Sequence, residues 1–275
     1  MEFFQDEKVA ANVTKISDLS GVYAYLIEEG REKAVLIDTC SGAGNIKKHV
    51  ECLTQKPLVV ICTHGHVDHA GGTFGFENVY LSAKDYELAK IHTTTDFRRG
   101  YFDSNVPSNS FSLDHYVPQR NGEYLDLVDG QVFDLGNITL EAITLSGHTQ
   151  GMTCILVQEL RTLLLGDGCN IFTFLFSPES SSVQDYKDSL QTLLRRHGEK
   201  FDTVWFSHGQ NSGTKTVVND CIELCDEIMT GKADNIPFNF MGQTAFIAKA
   251  INPDFSRVDG KAGNIVYNPH KILNQ

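Results

Sequence analysis

Basic side chains are the scarce charge in this sequence. Its 275 residues carry 23 lysines and arginines against 35 aspartates and glutamates, a formal net charge of -12. Nucleic-acid binders present a basic face and release counterions on contact, so this balance argues against a nucleic-acid partner. The adjacent basic pairs are few: Lys47-Lys48, Arg98-Arg99 and Arg195-Arg196, each read as a solvated helix face. Also missing is any apolar run long enough to span a bilayer. Met1 to Glu7 has neither the basic nor the apolar region of a secretory leader, so the expected location is the cytoplasm. The seven cysteines form no Cys-x-x-Cys pair and are odd in number, which argues against a complete disulfide framework. Cys221 and Cys225 stand four apart on an expected helix and read as packing residues.

What is present is an ordinary globular composition, 41% hydrophobic and 21% charged. At this length it fits one large α/β domain, residues 1–275. Its densest chemistry lies in Cys62-Thr63-His64-Gly65-His66-Val67-Asp68-His69-Ala70-Gly71-Gly72, where three imidazoles and a carboxylate occupy six residues. His64 and His66 are two apart, so in an extended segment both point one way and can grip one ion. A turn after them can aim Asp68 and His69 at a second ion. Leu58 to Cys62 is a buried-strand pattern, which puts the cluster beyond a strand's carboxyl end, where open α/β sheets hold ligands.

The chain on either side reads as two runs of strands. Val13 to Ile16, Gly21 to Ile27 and Ala34 to Ile37 come first, the last two joined by the polar turn Glu28 to Lys33. Asp38 then stands at a strand end before a helix from about Asn45 to Leu53; a ligand role is open, and support of a neighbouring His is the commoner one. Val79 to Leu81 is a strand, and Ser82 can cap a helix reaching His92. From Thr93 to Tyr124 the periodicity weakens, with Pro107 and Pro118, and residues 93–124 read as a lid or substrate loop. There Phe97, Tyr101, Phe102, Phe111 and Tyr116 either line a pocket mouth or anchor the loop. The second run comprises Gln131 to Leu135, Ile138 to Thr144, Thr153 to Gln158 and Thr162 to Leu165, with a hairpin turn at Gly136-Asn137. Helices follow from Ser181 or Ser182 to His197 and from Thr216 to Met229, with a strand from Phe201 to Phe206 between them and a closing strand at Gly263 to Asn268.

Three further residues stand at strand ends beside small neighbours: His148 in Ser146-Gly147-His148-Thr149, Asp167 in Gly166-Asp167-Gly168, and His208 in Ser207-His208-Gly209. Taken in order, Asp38, the HxHxDH element, His148, Asp167 and His208 make the sequence resemble the metallo-β-lactamase superfamily over nearly its whole length. The resemblance implies a four-layer αββα sandwich of two packed mixed sheets with the metals in a cleft at one edge. It further implies that His64, His66 and His148 hold one ion, that Asp68, His69 and His208 hold the other, and that Asp167 bridges them. Two zinc ions are expected, with iron or manganese compatible with the same donors. Such ions lower the pKa of a shared water, and the resulting hydroxide can attack a carbonyl or phosphorus. Asp68 can orient that hydroxide or shuttle its proton, and Asp68 and Asp167 are the catalytic carboxylates.

Departures from particular branches narrow the substrate. His66 stands where the flavin-linked diiron branch has a glutamate, and Asn170 stands where acyl-homoserine lactonases carry a tyrosine. The residues after His208 are too few and too little basic for the helical domain of glyoxalase II. Cys169 reads as structural. Phe172, Phe174 and Phe176 alternate after Asp167 and would share a face if extended. A core strand is the plain reading of that run; a substrate wall formed by Phe172 and Phe174, with Tyr101, is the sharper one. The expected enzyme is therefore a zinc-dependent hydrolase of a small, partly apolar ester, lactone or thioester. A mononuclear iron oxygenase of the persulfide dioxygenase kind, a phosphodiesterase and a non-catalytic metal-binding scaffold stand as alternatives. Exposed apolar residues near Phe172 or in the C-terminal segment offer a homodimer contact.

Overall fold

The computed structural model describes residues 2–28, 31–106, 112–240 and 242–274. Pro107, Phe111 and the Glu29-Gly30 part of the expected polar turn lie outside the described residues. The chain is a mixed α/β protein that divides into two compact units, Met1–Glu141 and Ala142–Gln275. Among the described residues no helix is long and apolar enough to cross a membrane.

The first unit contains β1 (Phe4–Ala10), β2 (Val13–Asp18), β3 (Tyr23–Ile27), β4 (Ala34–Ile37), β5 (Leu58–Ile61), β6 (Val79–Leu81) and β7 (Leu125–Asp126), ordered in one sheet as in the sequence. Pairing is antiparallel from β1 to β4 and parallel from β4 to β7. Its helices are α1 (Ile46–Leu53), α2 (Val67–Ala70), α3 (Tyr86–His92) and α4 (Thr95–Asn105). The hairpin of β8 (Val132–Asp134) and β9 (Thr139–Thr144) begins in this unit and turns through Gly136 at φ 94°. α1 starts where the Asn45 side chain accepts from the Lys48 amide. Its buried Ile46 and Val50, one turn apart, pack with Ile16, Leu26, Leu36 and Val60. Each such aliphatic side chain contributes about 1.5–3 kcal/mol by leaving water.

Three features of this unit depart from the sequence reading. β1 was not legible as a strand, because its middle, Asp6-Glu7-Lys8, is exposed and charged, as suits a sheet edge. The helix expected from Ser82 to His92 is split into a 3-10 turn at Ala83–Asp85 and α3, and Ser82 makes no side-chain cap. Part of the expected structureless stretch is α4, capped by Thr94 accepting from the Phe97 amide. Arg98, expected on a solvated face, is fully buried there with Phe102 four residues on. Its guanidinium donates to the Gly71 carbonyl and to Thr95 Oγ1, both at 3.3 Å, and burial pulls its pKa below the ordinary value. Phe102 and Tyr116 pack on Ala43, so two of the loop aromatics are anchors.

The second unit places β10 (Thr153–Val157), β11 (Thr162–Leu164), β13 (Thr203–Trp205) and β14 (Ser212–Thr214) side by side in the order β14-β13-β11-β10; β12 (Phe172–Leu175) lies elsewhere. A separate four-stranded sheet runs β12-β17-β16-β15, with β15 (Ile236–Phe240), β16 (Gln243–Ile247) and β17 (Asn264–Tyr267). β12 and β17 are parallel, and the other two pairings are antiparallel. α5 (Val183–His197) begins at Ser182, whose side chain accepts from the Asp185 amide at 3.0 Å. Val183, Tyr186, Leu190, Leu193 and His197 recur every three or four residues as its buried stripe. α6 (Thr216–Met229) adds Val217, Val218, Leu224, Ile228 and the two cysteines Cys221 and Cys225 to the same core. Cys169 is buried there too, and its hydrogen bond with Cys221 together with burial pushes its thiol well above the ordinary value. An inert packing role follows for it.

Candidate metal centre

In the first unit the centre is built at the carboxyl ends of β4 and β5. Asp38 leaves β4 with φ at 63°, an uncommon conformation for a non-glycine residue. Its amide bonds Ile61 O at 2.8 Å, so its carboxylate turns under the loop that follows β5. That carboxylate accepts from the Thr63 amide at 2.7 Å, from the Thr63 hydroxyl at 2.9–3.0 Å and from His69 Nδ1 at 2.8 Å. His64 Nδ1 lies 3.1 Å from Thr63 Oγ1. Because that hydroxyl donates to Asp38, it accepts from His64, which puts the proton of neutral His64 on Nδ1 and the lone pair on Nε2. Donation to Asp38 assigns the same tautomer to His69.

The four motif residues sit close together. His64 Nε2 and His66 Nδ1 are 3.1 Å apart, near the edge of about 3.3 Å for two nitrogens on one tetrahedral zinc ion. His66 precedes α2, whose first turn carries Asp68 and His69; Asp68 Oδ2 lies 3.7 Å from His69 Nε2. The loop is held from several sides. Asp85 Oδ2 accepts from the Gly65 amide at 3.0 Å, and His92 stacks on His66 with ring centroids 4.9 Å apart. Phe97 stacks in turn on His92. A Cβ at Gly72 would lie 2.1 Å from Thr39 O, so only glycine allows the motif's end to close on the Asp38 loop. Tyr101 on α4 donates its hydroxyl to Asp68 Oδ2 at 3.0 Å, and burial together with Asp68 pushes its pKa well up.

In the second unit each candidate ligand comes from a different turn. His148 follows Gly147, where a Cβ would lie 2.3 Å from the Tyr186 ring. Its Nδ1 donates to the Phe174 carbonyl at 2.8 Å, and Ser180 Oγ donates to the His148 carbonyl at 2.9 Å. His148 Nε2 and His208 Nε2 lie 3.7 and 3.4 Å from Asp167 Oδ2. Asn170 Nδ2 reaches Asp167 Oδ1 at 3.4 Å, and Asn170 Oδ1 accepts from the Phe172 amide. Phe172 and Phe174 are partly exposed on β12, while Thr173 and Leu175 between them are buried.

All seven expected ligands fall into two groups that could hold a metal ion: His64, His66 and His148, and Asp68, His69, Asp167 and His208. Imidazole and carboxylate donors suit zinc, iron or manganese, and the supported histidine tautomers present the nitrogen a metal needs. Thr63, Asp85 and His92 escaped the sequence reading, as did the bond from Tyr101 to Asp68. Thr63 adjoins His64 in the chain, whereas the others act on residues that only folding makes their neighbours. The Asp85 bond alone spans 20 positions.

The sequence profile of the metallo-β-lactamase superfamily matches residues 17–208, a span that holds every one of these ligands. The chain belongs to the metallo-β-lactamase superfamily. Among its relatives within that superfamily, human acyl-coenzyme A thioesterase MBLAC2 is 25% identical over 180 residues, 60% of this chain and 64% of that protein. The atrochrysone carboxyl ACP thioesterase of Claviceps purpurea is 21% identical over 193 residues, 69% of this chain and 51% of that protein. These matches thus span less than two thirds of the curated relatives' own length. A metallo-β-lactamase from Pontibacter korlensis superposes with a TM-score of 0.59 at 17% identity, covering 80% of this chain and 97% of that one. The sec-alkylsulfatase Pisa1 from Pseudomonas sp. gives 0.63 at 17% identity over 83% of this chain and 42% of that one. Likeness at that identity establishes the superfamily fold, a mixed α/β arrangement with several mixed sheets.

Proposed function

We propose that this metallo-β-lactamase superfamily member is a dinuclear zinc hydrolase whose substrate is an acyl thioester, acting as a single catalytic domain. The observation that carries the reading is the ligand set itself. Seven histidines and aspartates fall into two metal-holding groups, and three of the histidines have Nδ1 engaged by Thr63, Asp38 or the Phe174 carbonyl. The thioester, rather than the wider group of esters and lactones, is supported by the similarity to the human and fungal thioesterases. His64, His66 and His148 would hold one cation and Asp68, His69 and His208 the other, with Asp167 shared. When bound, two such cations acidify a shared water and polarise the carbonyl.

The chain's own residues do the rest. Asp38 and Thr63 fix the rings of His64 and His69. Asp68 is the carboxylate that takes or orients the proton of the attacking water. Tyr101, by donating to Asp68 Oδ2, holds that carboxylate in one orientation. Elemental analysis of freshly purified protein, paired with acyl-coenzyme A, ester, lactone and phosphodiester substrates, tests the reading. About two zinc per chain with thioester turnover well above the other classes is expected. Full metal content with phosphodiester turnover alone would sink it, and so would about one iron per chain with oxygen consumption and no hydrolysis.

A further inference from the structure

The second unit gathers four of its phenylalanines into one cluster. Phe174 and Phe176 from β12 and its end meet Phe238 and Phe240 from β15, and every pair among the four rings has centroids 5.1–6.3 Å apart. Phe176 is buried together with Ala245, Ile247 and Val266, which form a closed apolar floor. Phe174, Phe238 and Phe240 are only partly covered. Residues 236–247, which carry the second pair of rings, contain no charged side chain at all. A surface of this kind offers nothing to a phosphate or a carboxylate. It offers dispersion contact and release of water to a flexible hydrocarbon.

The rings are also tied to the candidate chemistry. The carbonyl of Phe174 is the acceptor that fixes His148, so the residue that carries one ring is bonded through its main chain to a proposed ligand. An acyl carbonyl brought to His148 would have its tail leave beside β12. We propose that Phe174, Phe238 and Phe240, over the floor made by Phe176, form the acyl-chain site, selecting long chains over short ones. For turnover this rests on the thioester reading; for binding it does not.

The test uses the full chain with acetyl- and dodecanoyl-coenzyme A, and, independently, dodecanoate binding by calorimetry. The double variant Phe238→Ala, Phe240→Ala should lower the dodecanoyl-to-acetyl ratio of kcat/KM by about tenfold or more, since several methylenes lose their apolar contact. Its dodecanoate affinity should fall by a similar factor. Phe238→Leu with Phe240→Leu, which keeps the hairpin apolar, should fall between wild type and the alanine pair, and it serves if the alanine pair loses its cooperative melting transition. An unchanged ratio and unchanged dodecanoate affinity in a folded variant would overturn the proposal. So would a wild-type dimer that the variants convert to monomer without altering the ratio, which would make the cluster a self-association face. Ring-dependent dodecanoate binding without thioester turnover would leave the acyl site standing and remove the thioesterase reading.

Discussion

The two units supply candidate ligands in opposite ways. In the first, four candidate ligands occupy positions 64 to 69, and side chains brace them: Asp38, Thr63, Asp85, His92 and Tyr101. In the second, His148, Asp167 and His208 arrive singly from three turns, and the acceptor that sets His148 is a main-chain carbonyl. Side-chain bracing can be removed by substitution; a carbonyl cannot. The first unit's geometry is therefore open to outer mutations, whereas the second unit's depends on the strand β12 staying in place.

Substitutions that separate the two modes follow from this contrast, beginning with the most damaging. Asp167→Ala removes a proposed ligand outright and should cost more than about a hundredfold in kcat/KM, beyond the 10–100-fold ordinarily lost with an outer support. A smaller loss would show that the second unit's carboxylate is dispensable. Asp38→Asn keeps the shape but cannot accept from His69 through the amide nitrogen. Metal affinity, measured by competition with a chelator, should weaken about 10–100-fold. Unaltered affinity would mean that the bracing of the first unit is decorative. Tyr101→Phe deletes one hydroxyl and should lower kcat by about threefold to tenfold, the effect of a single hydrogen bond of ordinary net strength. Metal content should stay at the wild-type value, and a shifted pH profile of kcat would distinguish orientation of Asp68 from simple packing.

The same contrast explains what could be read from sequence. The consecutive cluster announces itself because its residues are neighbours in the chain, and Asn45 and Ser182 mark their helices by local capping. α4 did not, since its inward face is Arg98 and Phe102, and an arginine does not register in an apolar periodicity. Tyr101 could be named as an aromatic in a loop, yet its partner lies 33 positions away. The β15–β16 hairpin had a signal that went unused: Ile236, Phe238 and Phe240 alternate, and Gly242 follows with φ at 78°. Charge on β1 hid a strand in the opposite fashion, by breaking the alternation at the sheet edge.

Phe174 carries two duties on different atoms. Its carbonyl orients His148, while its ring faces three other phenylalanines. Mutation rewrites the ring and leaves the carbonyl. If these rings form the proposed acyl site, substrate range can drift among descendants by single codon changes at 174, 238 or 240, while the orientation of His148 is inherited intact.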